Sequence, residues 1–171
     1  MDIYEGELKM GITIRNATLN DLDTVTEIEA VCFPAAEAAT RESFEDRLKT
    51  FADSFFIAEE DGKAVGFING AVTDSVTIAD EMFEDSSLHN PNGAYQSIFG
   101  LDVIPEKRKN GIAAELMNHI IEDARKNGRK GLILTCKDRL IHYYEKFGYK
   151  NLGVSKSVHG GAVWYDMLLE F

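Results

Sequence analysis

The stretch Phe99-Gly-Leu-Asp-Val-Ile-Pro-Glu-Lys-Arg-Lys-Asn-Gly-Ile-Ala113 decides how this 171-residue chain is read. Phe99, Leu101 and Val103 alternate with Gly100 and Asp102 and run into Ile104, the pattern of a buried strand. Pro105 has no N–H to give to a ladder, so the strand ends there. After the basic turn Glu106–Asn110 the apolar period changes to that of a helix. Ile112, Leu116, Ile120 and Ala124 form one row, with Ala113, Met117 and Ile121 beside it. A strand, a Gly-containing basic turn and an amphipathic helix suit an anion. The first N–H groups of a helix have no partner inside it, and the helix dipole places partial positive charge there. Lys107, Arg108 and Lys109 add full charges, and phosphate is the expected guest. The same pattern also fits an ordinary strand-to-helix connection with solvated lysines, so the rest of the chain has to decide.

Outward from this stretch, the composition is that of a globular protein. Hydrophobic residues make up 44% and charged residues 27%, and the length suits a single domain over residues 11–171. Residues 1–10 read as a loosely held extension with Met10 as an alternative start. No run approaches the ~18 apolar residues of a membrane-spanning helix, and the acidic N-terminus lacks a signal-peptide core. Cys32 and Cys136 sit among apolar neighbours and read as reduced, buried thiols of a cytoplasmic protein.

The net charge of −11 comes from 18 basic and 29 acidic residues. Residues 1–102 hold 6 Lys and Arg against 21 Asp and Glu, whereas residues 103–171 hold 12 against 8. An acidic chain is a poor nucleic-acid partner. A basic second half beside an acidic first half suits an anionic cofactor and a cationic substrate, although solvated surface charge gives the same counts.

Seven strand-like stretches and four helices follow from periodicity. The strands are 12–15, 54–58, 64–72, 95–104, 131–136, 149–154 and 163–169. The helices run from Asn20 to about Phe33, from Thr40 through Phe51, from Gly111 to Asn127, and from Asp138 to Phe147. Asp61-Gly62 is a hairpin turn. The acidic stretch 73–93 is too long for a simple connection and reads as a functional or mobile loop. The sum is an α/β chain with a mixed sheet and helices on its faces.

The order of elements, together with Arg108-Lys-Asn-Gly-Ile-Ala113, resembles the GNAT superfamily of acetyl-CoA-dependent N-acetyltransferases, whose signature is Gln/Arg-x-x-Gly-x-Gly/Ala. A second segment, Tyr143-Tyr-Glu-Lys-Phe-Gly-Tyr149, is similar to the family's Tyr-x-x-x-Gly-Phe/Tyr. Leu134-Thr-Cys-Lys-Asp138 with His142-Tyr-Tyr-Glu-Lys-Phe147, and the helix end Glu27–Phe33, resemble the arylalkylamine (serotonin-type) branch. That branch carries two histidines where this chain has Ser97 and Phe99, and neither of these is a base.

The resemblance implies a GNAT fold, with a mostly antiparallel mixed sheet of seven strands and about four helices. It implies acetyl-CoA as cosubstrate, held at Leu101, Asp102, Val103, Arg108, Lys109, Asn110, Gly111, Ile112, Ala113 and Tyr144. Main chain of Leu101 and Val103 would pair with the pantetheine arm, and a bulge at Gly100 would aim an N–H at the thioester carbonyl. Tyr144 is the implied general acid for the departing thiolate, although a packed aromatic on a helix reads the same way, with Tyr143 beside it. Glu37, on the Pro34–Thr40 loop, is the candidate base, with Glu29, His142, His89 or a water chain as alternatives. Cys136 reads as an inert thiol, and no metal-ligand spacing is present. Phe33, Phe55, Phe56, Met82 and Phe83 are candidates for lining an amine pocket, though core packing explains such residues equally well. The expected partner is a small-molecule amine; a protein N-terminus and a CoA-binding module with little catalysis remain open, and a homodimer is allowed.

Overall fold

The computed structural model describes residues 11–171; the expected N-terminal extension lies outside them. A first strand, β1 (Ile12–Asn16), leads into helix α1 (Leu22–Cys32). The start of α1 is set by Thr18 and Asp21 rather than by the expected Asn20. Thr18 Oγ1 accepts from Asn20 N at 3.2 Å and Asp21 Oδ2 accepts from Thr18 N at 2.8 Å. This reciprocal cap closes a short 3₁₀ turn ahead of the helix. Helix α2 (Arg41–Phe51) begins where expected, with Thr40 Oγ1 accepting from Ser43 N at 3.1 Å. The hairpin β2 (Phe55–Glu60) and β3 (Lys63–Asn69) follows. The remaining elements are β4 (Val72–Thr73), the short helix α3 (Glu81–Glu84), β5 (Tyr95–Ile98), β6 (Gly100–Val103), α4 (Ile112–Lys126), β7 (Gly131–Cys136), α5 (Ile141–Glu145), β8 (Lys150–Val154) and β9 (Tyr165–Glu170).

The seven expected strand stretches become nine strands in two sheets, ordered β1-β2-β3-β6 and β4-β5-β7-β9-β8. Two stretches break in register with one another. Residues 64–72 divide at Gly70 and residues 95–104 divide at Phe99. The breaks face each other: Ser97 N donates to Ala71 O at 2.9 Å and Phe99 N to Asn69 O at 2.7 Å. A Cβ on Gly70 would lie 1.9 Å from Ser97 O, so only glycine permits this crossing. Beyond it β5 runs parallel to β7, whereas β6 runs antiparallel to β3.

Three apolar clusters hold the layers together. Ile112, Leu116, Met117, Ile120 and Ile121 of α4 pack on β2, β3, β6 and β7. Leu22, Val25 and Ile28 of α1 and Phe44 and Leu48 of α2 pack on the opposite face, against Phe55, Ile57 and Phe67. The stretch 73–93 contributes to a third cluster through buried Ile78 and Met82, which join Phe51, Tyr95 and Ile133. Asp74 further anchors it by accepting from Ala94 N and Asn90 Nδ2.

Candidate active site

Alternation along β6 determines which groups face the site. Ile104 N donates to Val65 O at 2.9 Å, so N–H groups at 102 and 100 point the same way, toward β3. Phe99 N also donates toward β3, and Asn69 is the register partner of Gly100. Two residues therefore oppose one at Asn69, which is a β-bulge at the expected position. Past the bulge, Leu101 and Val103 send their N–H groups to the far edge of β6. That edge has no strand partner, because β6 is the last strand of its sheet. Across it, β7 pairs with β5 only as far as Ile98↔Leu134, leaving Thr135 and Cys136 paired on one side with β9. The result is a splayed gap between β6 and β7 with backbone donors along one wall.

The gap leads into the Pro105–Gly111 turn. Lys109 (φ 68°) and Gly111 (φ 82°) are both left-handed, a backbone form that turns amide groups inward. No side chain caps the start of α4, so the N–H groups of Ile112 and Ala113 face outward from its first turn. Arg108 is held by its Nε donating to Val103 O at 2.9 Å, and Asn110 Nδ2 donates to Lys107 O at 3.2 Å. Every residue of the expected phosphate cradle is thus brought to one end of the gap. Asp102 is the exception among the expected cofactor contacts: alternation turns its carboxyl to the other face, toward α1 and α2.

Tyr144 lies on α5, packed against the α4 cluster, with its ring edge-on to Tyr143 and Tyr149. Burial pushes its phenol well above the ordinary range, and the nearby Tyr143, Cys136 and Asp102 add to this. Cys136 belongs to β7 and Asp102 to β6, the two strands that border the gap. Cys136 is also pushed up, to about 11, chiefly by burial, which keeps it a thiol.

The opposite face of the bulge is polar and buried. Gly100 sits against Asp102, Asn69 and Glu29: a Cβ there would lie 3.3 Å from Asp102 Oδ1, 3.7 Å from Asn69 Nδ2 and 3.8 Å from Glu29 Oε1. Arg47, only 4% exposed, donates to Asn69 Oδ1 at 3.1 Å and to Phe83 O at 2.9 Å, beneath the Phe99 ring. Glu29 Oε2 accepts from Ala39 N at 2.9 Å, tying the α1–α2 loop to this spot. The sequence did carry a signal for these groups. Glu29 and Arg47 fall on the apolar stripes of α1 and α2, and Asp102 interrupts an apolar strand, so each had to be buried.

Glu37 is placed differently from a lone base. Its carboxylate is 10% exposed and pairs with Lys137 Nζ at 2.8 Å, and its carbonyl meets His159 Nε2 at 2.9 Å. The His159 ring stacks on Phe83, 5.4 Å away at 15°, and Phe83 lies 4.8 Å from Phe99. The α1–α2 loop, the β8–β9 loop and the 73–93 stretch thus form a collar beside the buried polar groups at Gly100. Of the expected pocket residues, Phe55 and Phe56 are buried core residues and Met82 belongs to the third cluster, which leaves Phe33, half-buried after α1, and Phe83, which packs on that cluster, at the collar. Ser97 Oγ is committed to Ala71 O at 2.6 Å. His89 Nδ1 accepts from Val72 N at 3.0 Å, and His142 stands 85% exposed beside Glu145.

A family model described as "Acetyltransferase (GNAT) family" matches residues 22–149. The chain belongs to that family. It is 30% identical over 167 residues to an uncharacterised N-acetyltransferase of Methanocaldococcus jannaschii, covering 91% of this chain and 67% of that one. It is 28% identical over 109 residues to the serotonin N-acetyltransferase of Mesocricetus auratus, covering 63% of this chain and 51% of that one. The first curated relatives it matches are longer, and it spans between 29% and 67% of their length. Among solved structures, the GNAT-like decarboxylase GphF in complex with isobutyryl-CoA superposes with a TM-score of 0.81 at 21% identity, covering 92% of this chain and 98% of that one. The GNAT fold is therefore established for this chain. Among the described residues no helix is long and apolar enough to cross a membrane.

Proposed function

We propose that residues 11–171 form one acetyl-CoA-dependent N-acetyltransferase domain that transfers an acetyl group to a small primary amine by direct attack. The observation that carries this is the split at Phe99–Gly100, which leaves the β6 edge open beside a basic, uncapped helix entry. Leu101 and Val103 offer the pantetheine arm a strand's hydrogen bonds, and the turn from Arg108 to Ala113 offers the pyrophosphate its donors. The first free N–H past the bulge, on Leu101, donates to the thioester carbonyl as negative charge develops there. Tyr144 gives its proton to the departing thiolate. Burial makes the phenol a weaker acid, but the same dry surroundings raise the proton affinity of the thiolate it serves.

The acceptor enters from the α1–α2 side. The collar through Glu37, Lys137 and His159 supports a small amine rather than a threaded polypeptide, and the aromatic Phe83–Phe99 wall suits an aralkylamine. The likeness to a serotonin N-acetyltransferase agrees with that choice. In this reading Glu37 anchors the collar through Lys137 rather than acting as a lone base. A second reading, a CoA-binding module with little catalysis, is favoured by Ser97 and Phe99 standing where related enzymes carry histidines. Release of CoA thiol from acetyl-CoA, followed across aralkylamines, polyamines and short peptides with free N-termini, separates them. Turnover confined to small amines supports the proposal; CoA binding without turnover of any amine supports the module.

A further inference from the structure

The acceptor face of the bulge holds more buried charge than packing requires. Asp102 is 1% exposed, Asn69 0%, Arg47 4% and Glu29 7%. Burying ionised groups is costly unless each is paired, and here two carboxyls share one guanidinium. Arg47 spends its terminal nitrogens on Asn69 and Phe83, and its Nε bonds to no one. Asn69 Nδ2 likewise has no partner within the protein, and the Asp102 carboxyl has none but the neighbouring Glu29 carboxyl. Asp102 Oδ1, Asn69 Nδ2 and Glu29 Oε1 all lie against Gly100, the point where the sheet opens. The arrangement resembles a receptor for a polar group more than a structural ion pair.

We propose that Asp102, with Glu29 held against it, is the base that takes the proton from the acceptor ammonium. This rests on the acetyl-transfer reading and names the group that reading lacked. Two carboxyls in one dry site cannot both ionise freely. Desolvation first, and then the charge and hydrogen bond of Glu29, raise the Asp102 carboxyl well above the ordinary range. A base so tuned is better matched to an ammonium than a solvated carboxylate is.

The groups facing Asp102 are Glu29 and Cys32 from α1, Arg47 from α2 and Tyr144 from α5, with neutral Asn69 from β3. Arg108 stands behind Cys32. Arg47 is the counter-charge that permits the ionised form; burial, opposed by the charges of Glu29 and Asp102, lowers it to about 10, so it stays charged.

In the step, the N–H bond of the ammonium breaks and its proton goes to an Asp102 oxygen. The freed lone pair forms the C–N bond at the thioester carbon. As the C–S bond breaks, sulfur takes the Tyr144 proton, and the second proton lost by nitrogen restores the phenol. The proton on Asp102 then leaves to solvent. Glu29 is a positioning residue: it acts through Asp102.

The test joins two readouts. In free protein labelled with ¹³C at carboxyl carbons, Asp102 should titrate above the usual carboxylate range, and Glu29→Gln should move it lower. With a reactive amine, the acid limb of kcat/KM should coincide with that titration and shift to lower pH in Glu29→Gln. Asp102→Asn should lower kcat/KM by on the order of 10²–10⁴-fold with CoA affinity unchanged, and Asp102→Glu should restore part of the rate. Should Asp102→Asn fail to fold, the Glu29→Gln titration and limb shift still decide. An acid limb unmoved by Glu29→Gln, or an Asp102 that titrates in the ordinary range, overturns the assignment even if amines are acetylated. Absence of turnover with any amine, while Asp102 titrates high, overturns the acetyl-transfer reading instead.

Discussion

At the scale of single residues, Tyr144 packs beside the gap while the Asp102 carboxyl lies on the other face of β6, and burial raises the titration of both. Replacing Tyr144 with Phe removes a hydroxyl and leaves the ring that packs against Tyr143 and Tyr149. We expect kcat to fall on the order of 10²–10⁴-fold with CoA affinity within twofold of wild type, measured by thiol release and calorimetry. Asp102 also leaves a mark on stability. Its folded-state titration lies above its unfolded one, so the native state keeps a proton that the unfolded chain has already lost. Stability is therefore lost as pH rises from the ordinary carboxylate range toward the folded value. Asp102→Asn should raise Tm relative to wild type, by a margin that widens with pH through that window in thermal scans. The sequence showed Tyr144 more clearly than the buried carboxyls. Tyr144 lies in a recognisable segment, whereas Glu29, Arg47 and Asp102 are far apart in the chain and meet only when α1, α2 and β6 pack.

At the scale of elements, the Pro105–Gly111 turn is the best-read part of the molecule. The change of apolar period, the proline and the glycine are all local signals, and the structure follows them residue by residue. Gly111 shows why. No atom lies within 4 Å of the position a Cβ would take, so its requirement is for backbone alone, at φ 82°. Gly111→Ala should cost about 1–2 kcal/mol of stability for the left-handed backbone and weaken CoA binding with it. Denaturant titration and calorimetry measure the two losses. By contrast, the break of 64–72 at Gly70 was hidden, because the contact that forces it is with Ser97, 27 positions away. The α5 segment, expected from Asp138 to Phe147, begins as a 3₁₀ turn with no side-chain cap and is helical over Ile141–Glu145.

At the scale of the whole molecule, the proposed cofactor side is drawn from two contiguous stretches of chain and the proposed acceptor side from scattered loops. Residues 99–113 and 131–149 build the former. The collar instead joins Glu37, Phe83, Lys137 and His159 from four separate segments, and no periodicity links such positions. Long-range pairing of this kind is what single-sequence reading lacks. The ion pair at its centre has a separable effect. Lys137→Met removes the charge while keeping an apolar stem under Trp164, whose ring lies 5.6 Å from Lys137 Nζ. The pair is largely out of water, and loss of the ammonium leaves the Glu37 carboxylate uncompensated there, so KM for the amine should rise by about fivefold or more with KM for acetyl-CoA unchanged. Steady-state kinetics with each substrate varied in turn checks this.

The free side of β6 has a further meaning for the protein as a body in solution. Unpaired N–H and C=O groups along a strand are a template for another chain as well as for a ligand. Here the strand is four residues long, stops two residues before Pro105, has its Val103 O already accepting from Arg108 Nε, and opens onto Lys107, Arg108 and Lys109. Those are the devices by which sheet proteins discourage edge-to-edge aggregation. The turn proposed to hold an anionic cosubstrate also sets charge beside that edge, and mutations that neutralise it are expected to cost solubility together with affinity.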